Sequence, residues 1–84
     1  MIVLGFDDGE VELALGDGLV PPNRKGAPDN LYCNRGCVWA RLKGRPVWYP
    51  VEITNSLRAA TSMVRGMKSA QCALKVLVGN KADL

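Results

Sequence analysis

The segment GCVWARLKGRPVWYPVEI, residues 36–53, carries the clearest structural pattern in the sequence. Residues 37–42 and 47–54 are rich in β-branched and aromatic side chains, which favour strands. The Gly-Arg-Pro sequence at 44–46 is typical of a turn. The pattern therefore predicts two strands joined by a short connection. Pro50 indicates an edge or a bulge in the second strand, because proline has no N–H to donate to a ladder.

The side chains of this strand pair predict where aromatic and cationic groups lie. Successive residues of a strand point to opposite faces, so Trp48 and Tyr49 are expected on opposite sides of the sheet. One ring is then expected in the core and the other at the surface, beside a basic turn. The cations of that turn are Arg41, Lys43 and Arg45.

The sequence before this segment predicts an acidic β-hairpin and a loop. Residues 2–6 are apolar, residues 7–9 (Asp-Asp-Gly) are a turn signal, and residues 10–15 alternate acidic and apolar side chains as a half-buried strand does. We assign residues 1–22 to the hairpin. Residues 23–35 are rich in Pro, Gly and polar side chains and are predicted to form a loop.

The sequence after this segment predicts one helix and one more strand. Asn55 or Ser56 can cap a helix over residues 55–70. An apolar stripe recurs at helical spacing along it: Leu57, Ala60, Val64 and Met67. Residues 72–79 begin with a predominantly apolar run of strand length, CALKVLV, and are predicted to form a strand. Residues 1–84 are therefore predicted to form a single domain, mainly β with one helix, in which a small five-stranded barrel packs against the helix.

The charges are divided unevenly along the chain. The 84 residues carry 11 Lys and Arg and 8 Asp and Glu, for a net charge of +3. Residues 1–22 hold five acids and no base (−5), and residues 23–84 hold eleven bases and three acids (+8). The basic part is the part that a polyanion would meet.

The composition argues against catalysis and against a bound metal. The chain has no histidine, the commonest general base. Cys33 and Cys37 are spaced C-x3-C, but only Cys72 could join them, which is too few ligands for a structural zinc site. We expect no enzyme, no cofactor and no metal. The odd number of cysteines favours a reducing, intracellular compartment, and no apolar run is long enough to cross a membrane.

Residues 36–53 resemble the opening of a PWWP domain, a member of the Tudor-like barrel superfamily. The first two strands of that family typically run G-D-x-V-W-A-K-x-x-G-x-P-x-W-P-A-x-V, and residues 47–50 (VWYP) stand for the name-giving tetrapeptide. The matching positions are Gly36, Val38, Trp39, Ala40, Arg41, Gly44, Pro50 and Ile53. The resemblance implies a Tudor-like or SH3-like barrel, chromatin as the partner and the nucleus as the location.

The resemblance also implies roles for individual residues. Arg41 and Lys43 would contact the DNA backbone. Leu42, Trp48 and Tyr49 would belong to a methyl-lysine cage. DNA or a nucleosome is then the expected partner, and a methylated histone tail is a further one. Phosphate contact is the favoured interpretation, with weak and strongly salt-dependent affinity.

Three cations on another side of the predicted helix extend the candidate DNA surface: Arg58, Arg65 and Lys68. The alternative is that these are the solvated face of a helix, and that Trp39 and Trp48 simply fill the core. A second hypothesis, from a different class, is a structural or accessory subunit. In that case the apolar stripe of the helix would dock on a protein partner or on a second copy of the chain.

The C-terminal residues 80–83, Asn-Lys-Ala-Asp, resemble the guanine-recognition segment of Ras-type GTPases. In that family a phosphate-binding loop of the form G-x-x-x-x-G-K-[ST] is also required, and the chain contains none. We therefore interpret the match as a coincidence, with Gly79 and Asn80 forming a turn.

Overall fold

The computed structural model describes residues 1–15 and 38–79. This part of the chain forms a four-stranded antiparallel sheet and two helices, a mixed α/β architecture. The elements are β1 (Ile2–Phe6), β2 (Gly9–Leu15), β3 (Val38–Leu42), β4 (Tyr49–Pro50), α1 (Leu57–Val64) and α2 (Ala70–Val78). The predicted loop, Cys33, Cys37 and residues 80–83 lie outside the described residues.

The sheet has the strand order β1-β2-β3-β4, and each strand runs antiparallel to the next. The predicted hairpin is confirmed for its two strands. The two predicted strands of residues 36–54 pair with each other, but the second is only two residues long, Tyr49–Pro50, instead of the predicted 47–54. Ala40 lies opposite Tyr49, and Trp39 lies opposite Pro50. The sheet is not closed into a barrel, so the prediction of a five-stranded barrel is corrected to an open four-stranded sheet covered by helices.

The predicted last strand is wrong, because residues 70–78 form the helix α2. Its buried positions recur at helical rather than strand spacing: Ala70, Ala73, Leu74, Leu77 and Val78. The Ser69 side chain caps the helix by accepting a hydrogen bond from the Cys72 N–H at 3.1 Å. A short apolar run fits a buried strand and a buried helix equally well. The cap and the spacing resolve that ambiguity in favour of the helix.

Helix α1 is shorter than the predicted 55–70 and ends at Val64. Its start agrees with the predicted cap, because Ser56 Oγ accepts a hydrogen bond from the Ala59 N–H at 3.2 Å. Gly66 follows with a φ of 89°, a left-handed conformation that favours glycine and turns the chain towards α2. One predicted helix is therefore two, separated by this glycine.

One face of the sheet, the helix face, is covered by α1 and α2. The main core lies between the sheet and these two helices. It contains the buried side chains of Val11, Leu13, Val38, Ala40, Tyr49, Val51, Ala60, Val64, Ala70, Ala73, Leu74, Leu77 and Val78. The opposite face, the outer face, carries a separate buried cluster of Ala14, Trp39 and Trp48. The strand period of two therefore sorts the sheet residues into these two clusters.

The turn of the hairpin is attached to the start of α2. The Asp8 carboxylate accepts hydrogen bonds from the Ala70 N–H and, at 3.0 Å, from the Ser69 hydroxyl. The Asp7 N–H donates to the Lys68 carbonyl at 2.8 Å. The hydrogen bond from Ala70 lowers the pKa of Asp8 below its ordinary value. An acidic side chain at this position also complements the helix dipole, so the hairpin and α2 hold each other in place.

Candidate functional site

Arg41, the central cation of the predicted DNA-binding turn, is engaged within the chain. Its Nε lies 3.0 Å from Glu12 Oε1, directly across the β2–β3 ladder. Its guanidinium stacks over the Trp48 ring, 4.5 Å from the ring centroid. The Glu12 residue is only 7% exposed. Arg41 therefore neutralises a nearly buried carboxylate and covers an indole.

Lys43 repeats this pairing at the exposed end of the same strands. Its Nζ lies 3.5 Å from Glu10 Oε1, and both side chains are about half exposed. The Lys43 N–H donates to the Glu10 carbonyl at 2.9 Å, which continues the register of β2 and β3. Glu10 and Glu12 of the hairpin thus lie opposite Lys43 and Arg41, in two ion pairs on the outer face.

The three residues expected at a methyl-lysine cage do not share a surface. Leu42 and Tyr49 pack on the helix face with the main core, and Trp48 belongs to the cluster on the outer face. Trp48 and Tyr49 do point to opposite faces, as predicted. The expectation of an exposed ring is wrong, because Trp48 is 5% and Tyr49 9% exposed. Both rings are buried, one in each of the two clusters.

The interpretation of the two tryptophans as core residues is confirmed. Trp39 is fully buried, and Trp48 packs beside it. The Trp39 indole N–H has no hydrogen-bond partner within the part of the chain that the structure describes. The apolar stripe of the predicted helix is also internal, since Ala60 and Val64 are buried and Leu57 and Met67 pack against the core.

Two arginines, Arg58 in the first turn of α1 and Arg65 at its C-cap, have different surroundings from Arg41. Arg58 and Arg65 are exposed and line one cleft of about 530 Å³ between α1 and the start of β1. The remaining lining residues are Ile2, Leu57, Thr61 and Ser62. The two arginines are seven positions apart, which corresponds to about 10 Å along a helix axis. Within residues 1–15 and 38–79, no carboxylate forms an ion pair with either guanidinium. We call this the α1 cleft.

The six predicted cations are not brought together on one surface. Arg41 and Lys43 lie on the outer face, whereas Arg58 and Arg65 lie at the two ends of α1, on the helix face. Arg45 is exposed in the connection between β3 and β4, and Lys68 is exposed between the helices. The α1 cleft is where two of them share a recess.

Sequence reasoning missed the pairing of the hairpin with the basic strand. A signal for it exists, since the acids at 10 and 12 and the bases at 41 and 43 have the same period of two. Opposite charges directly across a ladder stabilise the register of the two strands.

The described residues show little that suggests a metal or a membrane. Over residues 1–15 and 38–79, His, Cys, Asp and Glu form no group of three or more that could hold a metal ion. Cys72 is a free, exposed thiol. None of the helices in this part of the chain is long and apolar enough to span a membrane.

Comparison with known proteins gives no family for this chain. No protein-family model matches it, and no curated protein or solved structure is significantly similar to it. The PWWP resemblance therefore stays a prediction that rests on residues 36–53.

Proposed function

We propose that this chain is a non-catalytic module that binds the phosphate backbone of nucleic acid through Arg58 and Arg65. The observation that carries the proposal is the α1 cleft, where two exposed guanidiniums share one recess without a carboxylate partner among the described residues. Under the PWWP resemblance the nucleic acid is DNA in chromatin, and the protein acts in the nucleus.

The chemistry of the cleft suits phosphate. A guanidinium donates two parallel hydrogen bonds to phosphate oxygens, and the Ser62 hydroxyl between the two arginines is a further donor. The Thr61 hydroxyl already donates to the Leu57 carbonyl at 2.8 Å and supports the helix instead. Two arginines about 10 Å apart along a helix can contact separate phosphates.

The paired cations are poorer candidates for the same task. A phosphate that binds Arg41 would compete with Glu12 for its guanidinium, and weakening that pair is costly because the carboxylate is nearly buried. The methyl-lysine cage is not part of the proposal, because Leu42 and Tyr49 lie on one face and Trp48 on the other.

Chemical-shift mapping tests this assignment. We expect a short duplex DNA, titrated into the ¹⁵N-labelled chain, to shift the amide signals of α1 and to leave those of β3 unchanged. Raising the salt concentration should abolish the shifts, because phosphate contacts release counterions. No shifts at low salt would contradict DNA binding, and shifts centred on Arg41 and Lys43 would contradict the assignment to α1.

A further inference from the structure

The outer edge of β1 presents backbone groups that no other strand of the described four-stranded sheet pairs with. The Lys43 N–H bonds to the Glu10 carbonyl, so the even-numbered residues of β2 bond to β3 and the odd-numbered ones to β1. Ile2, Leu4 and Phe6 therefore direct their backbone groups inward. The N–H and C=O groups of Val3 and Gly5 point outward, away from the sheet.

Among residues 1–15 and 38–79, this edge lacks the charges and prolines that normally protect a sheet edge. β1 reads Ile-Val-Leu-Gly-Phe, with no charge and no proline. Val3 is 45% exposed, and a Cβ added to Gly5 would meet nothing within 4 Å. The exposed run ends at Asp7, whose N–H is bonded to Lys68. The other edge, β4, has only two residues, and one of them is Pro50.

We infer that β1 pairs antiparallel with β1 of a second copy of the chain, so that two four-stranded sheets join into one. The two-fold axis passes beside Leu4, which places Val3 of each copy opposite Gly5 of the other. These two pairs exchange four backbone hydrogen bonds, through the groups that point outward in the single chain. The exposed Val3 side chain then covers the space that Gly5 leaves open.

The chemistry of the edge favours a second copy over an unrelated strand. No side chain of β1 carries a charge that would select an ionic partner or repel an identical strand. The pairing is self-complementary, and it closes at two copies because the short, proline-containing β4 edge does not offer the same surface. A small domain also gains apolar burial by association.

The joined sheet has a consequence for the α1 cleft. The two-fold axis is perpendicular to the sheet, so α1 of both copies lies on the same face. Four arginines are then presented on one side of the assembly. Self-association does not require the proposed nucleic-acid binding, and it is measured without nucleic acid.

Analytical ultracentrifugation of the full chain from about 5 to about 500 µM tests the inference, because association depends on concentration. We expect a monomer–dimer equilibrium for the wild type. Val3→Lys should raise the dissociation constant by at least about tenfold, since it puts a charge on the paired edge. Val76→Lys is the matched control: Val76 is 40% exposed on α2, away from this edge, and should leave the equilibrium unchanged.

A second variant, Gly5→Pro, removes two of the four proposed hydrogen bonds without touching the β1–β2 ladder. It should also favour the monomer, and circular dichroism should show that each variant retains the native fold. A wild type that stays monomeric over the whole concentration range would overturn the inference. So would a folded Val3→Lys variant that dimerises as well as the wild type.

Discussion

Arg41 and Arg58 are the same residue type in one small domain, yet their surroundings give them different roles. Arg41 is bonded to Glu12 at 3.0 Å and stacked on Trp48, and its side chain is 26% exposed. Arg58 lies in the α1 cleft with Arg65 and has no ion pair among the described residues. The comparison teaches that the number of cations in a sequence overstates the number available to a ligand.

The difference arises from the acidic hairpin. Its glutamates at 10 and 12 neutralise two cations of the following strand, and its Asp8 occupies the start of α2. Three of the five acids of residues 1–22 are thus used inside the fold. On the outer face, two acids of the hairpin are therefore paired with two bases of the later sequence, while Arg58 on α1 has no such partner among the described residues.

Removing the guanidinium of Arg41 should have the largest effect on stability. Arg41→Met keeps much of the side-chain volume but leaves the nearly buried Glu12 carboxylate without its partner. We expect the free energy of unfolding to fall by about 2–4 kcal/mol in urea denaturation. Arg58→Met, the control on α1, should change it by less than about 0.5 kcal/mol. Equal losses for the two variants would remove the distinction between paired and available arginines.

The pH dependence of stability tests the contribution of Asp8, the hairpin acid that is hydrogen-bonded to the start of α2. The pKa of Asp8 is lowered in the folded state, so its stabilisation is complete above the ordinary aspartate pKa. It is lost as the pH falls through the lower, folded-state pKa. Asp8→Asn should lower the urea midpoint at pH 7. It should also reduce the fall in stability as the pH drops from the ordinary aspartate pKa to the lower, folded-state pKa. An identical decline for both proteins would contradict a stabilising role of the ionised carboxylate.

The exposed pair of Lys43 and Glu10 should contribute least. Lys43→Ala removes an ion pair whose side chains are about half exposed, so we expect the free energy of unfolding to change by less than about 0.5 kcal/mol. Thermal unfolding at low and high salt would measure it. A loss as large as that of Arg41→Met would show that the two pairs act as one coupled network.

Local signals in the sequence predicted much of the fold. The hairpin turn, the strand pair and the Ser56 cap all depend on residues close to one another, and each is found. The wrong prediction of a strand at 72–79 has a physical reason. A short apolar run does not distinguish a strand from a helix until the spacing of its buried positions is known. Gly66 was a signal for the break between the helices.

The candidate site was less predictable, because it depends on contacts between distant residues. Glu12 and Arg41 are 29 positions apart, and their pairing follows from the register of β2 on β3. The burial of Trp48 and Tyr49 likewise depends on contacts between distant residues, since one ring lies in the main core under the helices and the other beside Trp39 and Ala14. The residue types of the site were predictable from the sequence, but the availability of each side chain was not.

The most direct test of the central claim is the salt dependence of DNA binding by two charge-matched variants. Arg58→Ala/Arg65→Ala and Lys43→Ala/Lys75→Ala each remove two positive charges, the first pair from the α1 cleft and the second from exposed positions outside it. Fluorescence anisotropy with a labelled duplex at several salt concentrations gives the slope of log K against log salt.

If Arg58 and Arg65 contact the phosphates, the slope of log K against log salt should be about 2 smaller in magnitude for the first variant than for the wild type. The first variant should also lose most of its affinity at low salt. The second variant should keep a slope close to that of the wild type. Equal losses in the two variants would mean that only net charge matters. A loss confined to Lys43→Ala/Lys75→Ala would contradict the assignment of binding to α1.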